Sequence, residues 1–565
     1  MYCLSSLELP ERRLQNNLSH LNQSSYEFEN PLIAYHLLSK LDTYEPLRPD
    51  LSLKEATKFN YRGTFYGIKT DDHYCEKHRA YFVENPNFMF QEKNFVTSWK
   101  MSFDLRSFII PEIGGNDTMP YVRMSMLDSL KRQPLYDLRL DTQMLIFPYD
   151  FRREVNKQFA CITQYYNHIP GHDILYRKDQ VAEAIRKYMK KYETKPQCLE
   201  NDKYFLKTWT LTDKEQCSQF FEEFNSEKYQ QQKKERNIVY FRKIGAKAHR
   251  GEGVFPVDVK EEQYIRNLYK NGKFCGKIKE NNLIQHYIYN PLLLNGRKTD
   301  FRIYIFIAST NPMIVYYNDG YFSISMTKFN ADSKEKGTFL TNARLAEDFF
   351  LNSQQNGKYQ NMTKKDLWEE TVWTFDSFVS YLLDEGIVKD PNWLDNYLRL
   401  ELMKMVAHLI RMTQESFAKR SSLYEIYGVD VVIDNELNIW FIEANAQPDL
   451  EVATLSKGVG EVVKDFMYDT FEVLFGLLRS RTKRIIEYVN GLTREINEWE
   501  VIGKEIEIQD LGEKKKEFEI ISKNYFESEF EPKRKSKLIK VVDENLLGME
   551  KYSNIIPSEC LENGQ

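Results

Sequence analysis

At 565 residues the chain exceeds what one hydrophobic core usually supports, so two or three subdomains are expected. Charged residues make up 28% and aromatic residues 14%; the ring surface suffices for a substantial core, and a net charge of −5 excludes a polycation built for non-specific nucleic-acid binding. The seven cysteines are scattered and form no CxxC pair, and the two histidines near Cys75 (His73 and His78) have no second ligand pair at zinc spacing, which argues for a reducing compartment and against structural zinc or a disulfide scaffold.

Residues 1–55 are polar, with weak periodicity, and read as a partly disordered extension that opens without the apolar segment of a signal peptide. Residues 56–155 mix aromatics with turn signals such as GGND (114–117) and suggest an irregular α/β region. RKDQVAEAIRKYMKKY (177–192) predicts a helix capped by Asp179, with Val181, Ile185 and Met189 on one face. CSQFFEEFNSEKYQQQKKER (217–236) predicts another, leading into a strand, a glycine loop, and a further helix at EEQYIRNLYKNG. LIQHYI (283–288) and DFRIYIFIAS (300–309) read as strands, and 311–325 as a hairpin closing on Asn318-Asp319-Gly320. A long amphipathic helix is expected over 395–418 and a final hairpin over 426–445. The apolar runs are too short to span a bilayer, so a soluble intracellular monomer without membrane or nucleic-acid partners is expected. From 476 to 565 the pattern is a charged helical appendage and tail in which nothing suggests chemistry, leaving 156–475 as the core.

Two stretches carry candidate chemistry. In FIEANAQPD (441–449), Glu443 and Asn445 alternate with Ile442 and Ala444, so both polar groups share one side of an extended chain. Folding this strand onto YGVDVVID about a turn between Glu436 and Leu437 sets Asp430 opposite Glu443 and Val432 opposite Phe441. Val429, Val431 and Ile433 then face a core with Trp440 and Ile442. Two opposed carboxylates repel unless a cation joins them, and oxygen-only ligands select Mg²⁺ or Mn²⁺. A solvated polar face on an edge hairpin is the competing reading.

The second stretch is KIGAKAHRGEG (243–253), between a strand and a helix. Glycines 245, 251 and 253 let backbone amides approach an anion, while Lys243, Lys247 and Arg250 bring positive charge. It fits neither GxGxxG nor GxxxxGK[ST], and a flexible surface loop is the plainer alternative. In GRKTDFR (296–302), Lys298, Asp300 and Arg302 alternate onto one face at the mouth of a very apolar strand, which suits an anion or nucleotide better than solvation.

Cation ligands on a hairpin, a basic glycine loop and a charged strand end match the logic of ATP-grasp carboxylate–amine ligases. More narrowly, the sequence resembles the tubulin–tyrosine ligase-like family over roughly 160–475. The family's glycine loop, strand pair, LTN segment and metal hairpin have counterparts in KIGAKAHRGEGV, QHYIYNPLLLNGRKTDFRIY, FLTN (339–342) and GVDVVIDNELNIWFIEANAQPDL. Upstream, YNHIPGHDILYRKD and FLKTWTL match as well. The resemblance implies an α/β (α+β) ATP-grasp fold holding ATP between two mixed sheets with flanking helices. By the same resemblance Lys243, Arg250, Gly251 and Gly253 cover the phosphates, and Gln285, His286, Tyr287 and Ile288 form the hinge that reads adenine. Lys298, Asp300 and Asn342 stand at the ribose and substrate end. Arg302 stabilises the transferring phosphoryl group, with Asp300 and Glu443 completing the catalytic set, and Asp430, Glu443 and Asn445 hold Mg²⁺. The implied partners are tubulin or microtubules, through acidic tails, and a free amino acid, glutamate or glycine, in the cytoplasm, cytoskeleton, cilium or basal body. Lysines and arginines at 187, 190, 191, 479, 481, 483 and 484 are available to steer an acidic tail, though a solvated helix face explains them as well.

The chain also departs from the family. Its glycine loop is one residue longer between Lys243 and Arg250, with Ile244 where proline is common, and GAK is nearest to the glycine-adding members. Ser323 stands where an arginine usually binds the incoming amino acid, and Glu347 where a lysine does, with Arg344 close by. Losing such charge-assisted contacts weakens carboxylate capture by about 1.5–3 kcal/mol each, so a catalytically impaired, nucleotide-binding microtubule factor is the alternative to an active ligase.

Overall fold

A computed structural model describes residues 169–199, 203–245, 253–310, 313–333, 343–355, 361–418, 423–446, 458–471 and 537–543, a few single positions such as Thr341 and Cys560, and short strands between 64 and 166. The N-terminal extension, the turn expected at 114–117 and the charged helix expected from 476 lie outside the described residues.

The smaller of the two main sheets is antiparallel throughout. Its strands β2 (Thr208–Thr210), β3 (Tyr240–Ile244), β4 (Val254–Pro256) and β5 (Asn282–His286) run in the order β2-β5-β3-β4. Helices α2 (Lys214–Phe224), α3 (Glu227–Glu235) and α4 (Val259–Tyr269) flank it. Phe220, Phe224, Tyr229 and Tyr269 from these helices pack with Trp209, Tyr240 and Ile284, all buried, into one aromatic core. The single helix expected over 217–236 is two: Ser226 takes the amide of Tyr229 at 3.2 Å, and a cap in mid-segment restarts the helix on a new axis.

The larger sheet has eight strands. β6 (Arg297–Thr310) and β9 (Glu425–Ile433) are central, β7 (Met313–Ile324) and β10 (Ile439–Ala446) flank them, and β8 (Val372–Trp373) and β1 (Tyr204–Phe205) close the edges. Its one named parallel pair, β10 with β1, makes it mixed. The apolar run of β6 is fully buried, Ile303 to Ala308 at 0% exposure, covered on one face by α5 (Phe375–Asp384) and α6 (Arg399–Thr413). Each such side chain contributes about 1.5–3 kcal/mol on burial. α1 (Lys178–Lys191) packs Val181 and Tyr188 onto the same core; Arg177 rather than Asp179 stands at its N-cap, which frees the Asp179 carboxylate for tertiary contacts.

Two register irregularities correct the sequence reading. Asn318-Asp319-Gly320 is not a turn: β7 runs straight through it, and the chain reverses instead between Thr310 and Met313. Two residues, Asp319 and Gly320, lie opposite Ile303 as a bulge; a Cβ on Gly320 would fall 2.0 Å from the Arg302 carbonyl oxygen, so glycine is required there. Asp319 instead accepts from Tyr317 and from Arg399 of α6 (Nε at 2.9 Å). In the final hairpin Asp430 does face Glu443, but Phe441 pairs with Val431, not Val432, because Ile442 is an extra residue on β10. Ile439, Phe441 and Ala444 therefore enter the core, while Trp440 turns out and donates its indole N–H to Asp434 at 2.9 Å.

The cysteine reading is also corrected. Cys217–Cys275 and Cys198–Cys560 are disulfides, joining residues 58 and 362 positions apart that no local spacing signals. The C-terminal region returns to the core as well: β11 (Ile539–Asp543) pairs with β7 and buries Val541 and Val542 completely. Among the described residues no helix is long and apolar enough to cross a membrane.

Candidate active site

The two sheets present facing residues that the sequence set far apart. On the small sheet, the register pairs Lys243 with Leu283 and Phe241 with Gln285, so these four share one face. Arg242 and His286 occupy the other. Arg242 bonds Asn282 at 2.8 Å and pairs with Glu261, and His286 meets Glu223 at 3.3 Å beside Trp209 and Tyr240. His286, with Lys207 and Tyr240, holds Glu223 down at about 2 against its burial. The His286 side chain is thus turned away from the face of Lys243, and only its backbone remains for a ligand there. Gln285 donates to Thr208 at 3.0 Å, and Tyr287 packs edge-on to Phe241, in a small apolar cluster with Ile238 and Val254. Ile288 is buried. Gly253 has φ +70, and its carbonyl closes the loop base by accepting from Ile244 at 2.9 Å. Arg250, Gly251 and Asn342 lie outside the described residues.

Burial pushes the Lys243 ammonium down to about 8; Glu443 and Asp300 pull it up, and Lys178 and Lys298 push it further down. These four charges all belong to the opposite wall. Lys243 therefore lies within electrostatic reach of the polar end of the large sheet.

On the large sheet, Arg302, Asp430 and Glu443 stand in one line across β6, β9 and β10. Arg302 grips Asp430 through two bonds, Nε at 2.7 Å and Nη2 at 2.9 Å. Its side chain passes over Gly428, where a Cβ would lie 3.0 Å from the Arg302 Cδ and 2.9 Å from the Pro448 Cβ. Asn445 donates Nδ2 to Asp430 at 3.1 Å, and Lys178 sets its ammonium 2.8 Å from Glu443. Two positions before Arg302, Asp300 takes Lys298 at 3.0 Å and the Thr341 hydroxyl. Across from Asp300 is Ser323, whose neighbour on the next strand is Val372. The side chains of Arg344 and Glu347 are outside the description.

The paired carboxylates are pushed in opposite directions. Burial raises Asp430, with Arg302 offsetting only part of it and Glu443 and Asp300 adding to it. Burial also works on Glu443, but Lys178, Lys243 and Arg302 together outweigh it and hold it below its usual range. Among the described residues no three His, Cys, Asp or Glu side chains gather as a metal cluster. The donor set here is two carboxylates plus an amide on one face of adjacent strands, all oxygen-bearing. That chemistry suits a hard divalent ion sharing its shell with water and phosphate. Four cations, Lys178, Lys243, Lys298 and Arg302, surround three carboxylates, so the cleft can also accept an anion.

The structure brings Lys243, Lys298, Asp300, Arg302, Asp430, Glu443 and Asn445 together. Sequence reasoning missed Lys178; its signal lay in RKD (177–179), read only as a helix start, and nothing local says that this lysine meets a hairpin 265 residues later.

The chain is similar to several known proteins. Similarity extends to the human inactive polyglycylase TTLL10 (Homo sapiens), 27% identical over 35% of this chain and 28% of that protein. It also extends to the probable alpha-tubulin polyglutamylase Ttll1 of Tetrahymena thermophila, 26% identical over 51% of this chain and 67% of that protein. The match thus spans less than a third of the human relative's length. A solved structure, the C-terminal domain of K. lactis Pby1, described as an ATP-grasp enzyme interacting with the mRNA decapping enzyme Dcp2, is 16% identical and covers 64% of this chain and 91% of its own, with a TM-score of 0.40. The family model described as the tubulin-tyrosine ligase family matches residues 155–482, more than half of the chain and all of the site. The chain belongs to the tubulin–tyrosine ligase family.

Proposed function

We propose that this chain is an ATP-dependent carboxylate–amine ligase that adds glutamate or glycine to glutamate side chains of tubulin tails. The observation that carries the reading is the line Arg302–Asp430–Glu443 across three strands, faced by Lys178 and Lys243. Asp430, Glu443 and Asn445 would hold Mg²⁺ or Mn²⁺, which when bound neutralises phosphate charge. Lys243, with Arg250, Gly251 and Gly253 of the glycine loop, holds the phosphates. Phe241, Gln285, Tyr287 and Ile288 seat the adenine, and Lys298, Asp300 and Asn342 the ribose and acceptor end.

A carboxylate is a poor acyl donor. The acceptor glutamate therefore takes the γ-phosphoryl group from ATP, and the amino group of the incoming amino acid attacks the acyl phosphate and expels phosphate. Arg302, fixed by two bonds to Asp430, is pre-organised to meet the negative charge that grows in both steps. The site must exclude water, which would otherwise hydrolyse the intermediate. Tubulin and the choice of glutamate or glycine are inferred from the names of the relatives and the family. The test is incubation with tubulin, Mg-ATP and each labelled amino acid; incorporation that disappears in Glu443→Gln supports the reading, and none with any amino acid sinks it.

Two observations favour a second reading, a nucleotide-binding member impaired in catalysis. Ser323 faces Asp300 where the family resemblance leads one to expect an arginine, and the human relative is named inactive. Mg-ATP binding without incorporation identifies that case.

A further inference from the structure

The charged groups of the cleft come from two sheets, and something must hold the two walls in register. Asn281 stands immediately before β5, on the face shared by Leu283 and Gln285. Its backbone carbonyl accepts from Gly245, the residue at which the glycine loop leaves β3, at 2.7 Å. A Cβ on Gly245 would lie 2.5–2.7 Å from the Asn281 amide atoms, so the start of the loop is pressed flat against that side chain. The same amide reaches the other wall: its Nδ2 donates to Asp179 Oδ2 at 3.0 Å, in the first turn of α1. Asp179 is fixed in turn by Arg177, through Nε at 3.3 Å and Nη2 at 3.0 Å. The residue between them is Lys178, which sits on Glu443.

Asn281 thus touches the origin of the glycine loop and the helix turn that aims Lys178, two segments with no other connection of this kind among the contacts described. Its Oδ1 is buried without a hydrogen-bond partner among the described residues. Buried acceptors left in that state are rare and call for a cause. Here the amide is oriented by its donation to Asp179, and the acceptor end is left facing the base of the loop.

We propose that Asn281 is a positioning residue, a latch that ties the glycine loop to α1. The groups at the phosphates on one wall and Lys178 with Glu443 on the other then meet the nucleotide as one unit. The proposal rests on the nucleotide reading above. Asn281 touches no reacting atom; it acts through Gly245 and Asp179, and the expected effect is on ligand affinity rather than on folding.

Calorimetry of the full chain with Mg-ATP tests it. Asn281→Asp sets a second carboxylate against Asp179 and weakens Kd about 10-fold or more, while the ligand-free chain melts within about 3 °C of wild type. The double variant Asp179→Asn with Asn281→Asp restores the hydrogen bond in the reverse sense and returns Kd to within about 3-fold of wild type. If Asn281→Asp does not fold, Asn281→Ala, which removes the donor without adding charge, is measured in its place and is expected to show the same loss. Unchanged affinity in the single variant, or a loss that the swap does not recover, overturns the latch and leaves the nucleotide reading standing. A wild-type chain that takes up no Mg-ATP removes the nucleotide reading, and the latch falls with it.

Discussion

Arg302 reaches Asp430 with both Nε and Nη2 by crossing directly over Gly428, the residue opposite Tyr304 on the neighbouring strand. The contact depends on the absence of a side chain at 428. In Gly428→Ala a methyl would lie 2.9–3.2 Å from Pro448 and from the Arg302 stem. The flexible arginine yields before the backbone does, so the bidentate grip is lost while the fold survives. Amino-acid incorporation is expected to fall about 100–1000-fold, by analogy with the loss of one pre-organised charge stabiliser. Arg302→Lys is expected to do no better, since a single ammonium cannot make the paired contact. Steady-state rates beside a melting curve check both variants.

Glu443→Gln keeps the shape of the side chain and removes its charge. Lys178 loses its ion pair with Glu443, and the proposed divalent ion would lose a carboxylate. The Mg²⁺ concentration needed for half-maximal Mg-ATP uptake is expected to rise about 10–100-fold, the usual cost of disturbing a metal's oxygen environment. Stripping divalent ions with a chelator should abolish incorporation in the wild type. An unchanged Mg²⁺ titration in the variant would remove Glu443 from the metal set.

Lys243 gives the site a pH signature. Burial holds its ammonium at about 8 in the ligand-free chain, so above that pH the group is neutral and offers no charge to a phosphate. A bound polyanion favours the protonated form, so binding takes up a proton at alkaline pH and affinity falls as pH rises through 8, at up to about 10-fold per pH unit. For stability alone the sign is opposite. The folded value lies below the ordinary lysine value, so the cost of burying this charge is present below pH 8 and fades as pH rises. Calorimetry between pH 7 and 9.5 should show weakening Mg-ATP affinity, and Lys243→Met should bind poorly with a flat profile over that range.

The two disulfides are open to direct measurement. Peptide mapping without reductant should recover Cys217 joined to Cys275 and Cys198 joined to Cys560. Closing the loop between Cys217 and Cys275 restricts the unfolded chain by about 4 kcal/mol on the chain-entropy account. Reduction should therefore lower the melting temperature by several degrees, and Cys217→Ser should reproduce part of that drop. Free thiols at all four positions would return the chain to the reduced state expected from its composition.

Much of this was legible in the residues themselves. The alternation of Lys298, Asp300 and Arg302 put three charges on one face, and the two-residue step from Glu443 to Asn445 did the same. A strand's period of two is a local property, needing only extended backbone. A turn between Glu436 and Leu437 predicts the opposition of Asp430 and Glu443; the observed turn centres on Glu436, and the bulge at Ile442 restores that pair. The apolar run of β6 marks a buried strand.

What the sequence could not decide was wherever local and tertiary preferences conflict. Phe441 and Glu443 are two apart and should share a face, yet one belongs in the core and the other at the site. Only the bulge at Ile442 separates them, and its reason is the packing of Phe441 against the sheet. Asn318-Asp319-Gly320 has turn chemistry, but Asp319 is claimed by Arg399 from a helix 80 residues on, and burial of the strand outweighs the local signal. His286 belongs to the segment implied to read adenine, yet register sends its ring to Glu223 and leaves only its backbone on the side of the cleft. Lys178 and both cystines are meetings of residues far apart in the chain, set by how the sheets pack. By itself the sequence determined which groups were available and which side of each strand they took; the tertiary structure decided which of them meet, because contact between distant segments is fixed by the packing of the whole core.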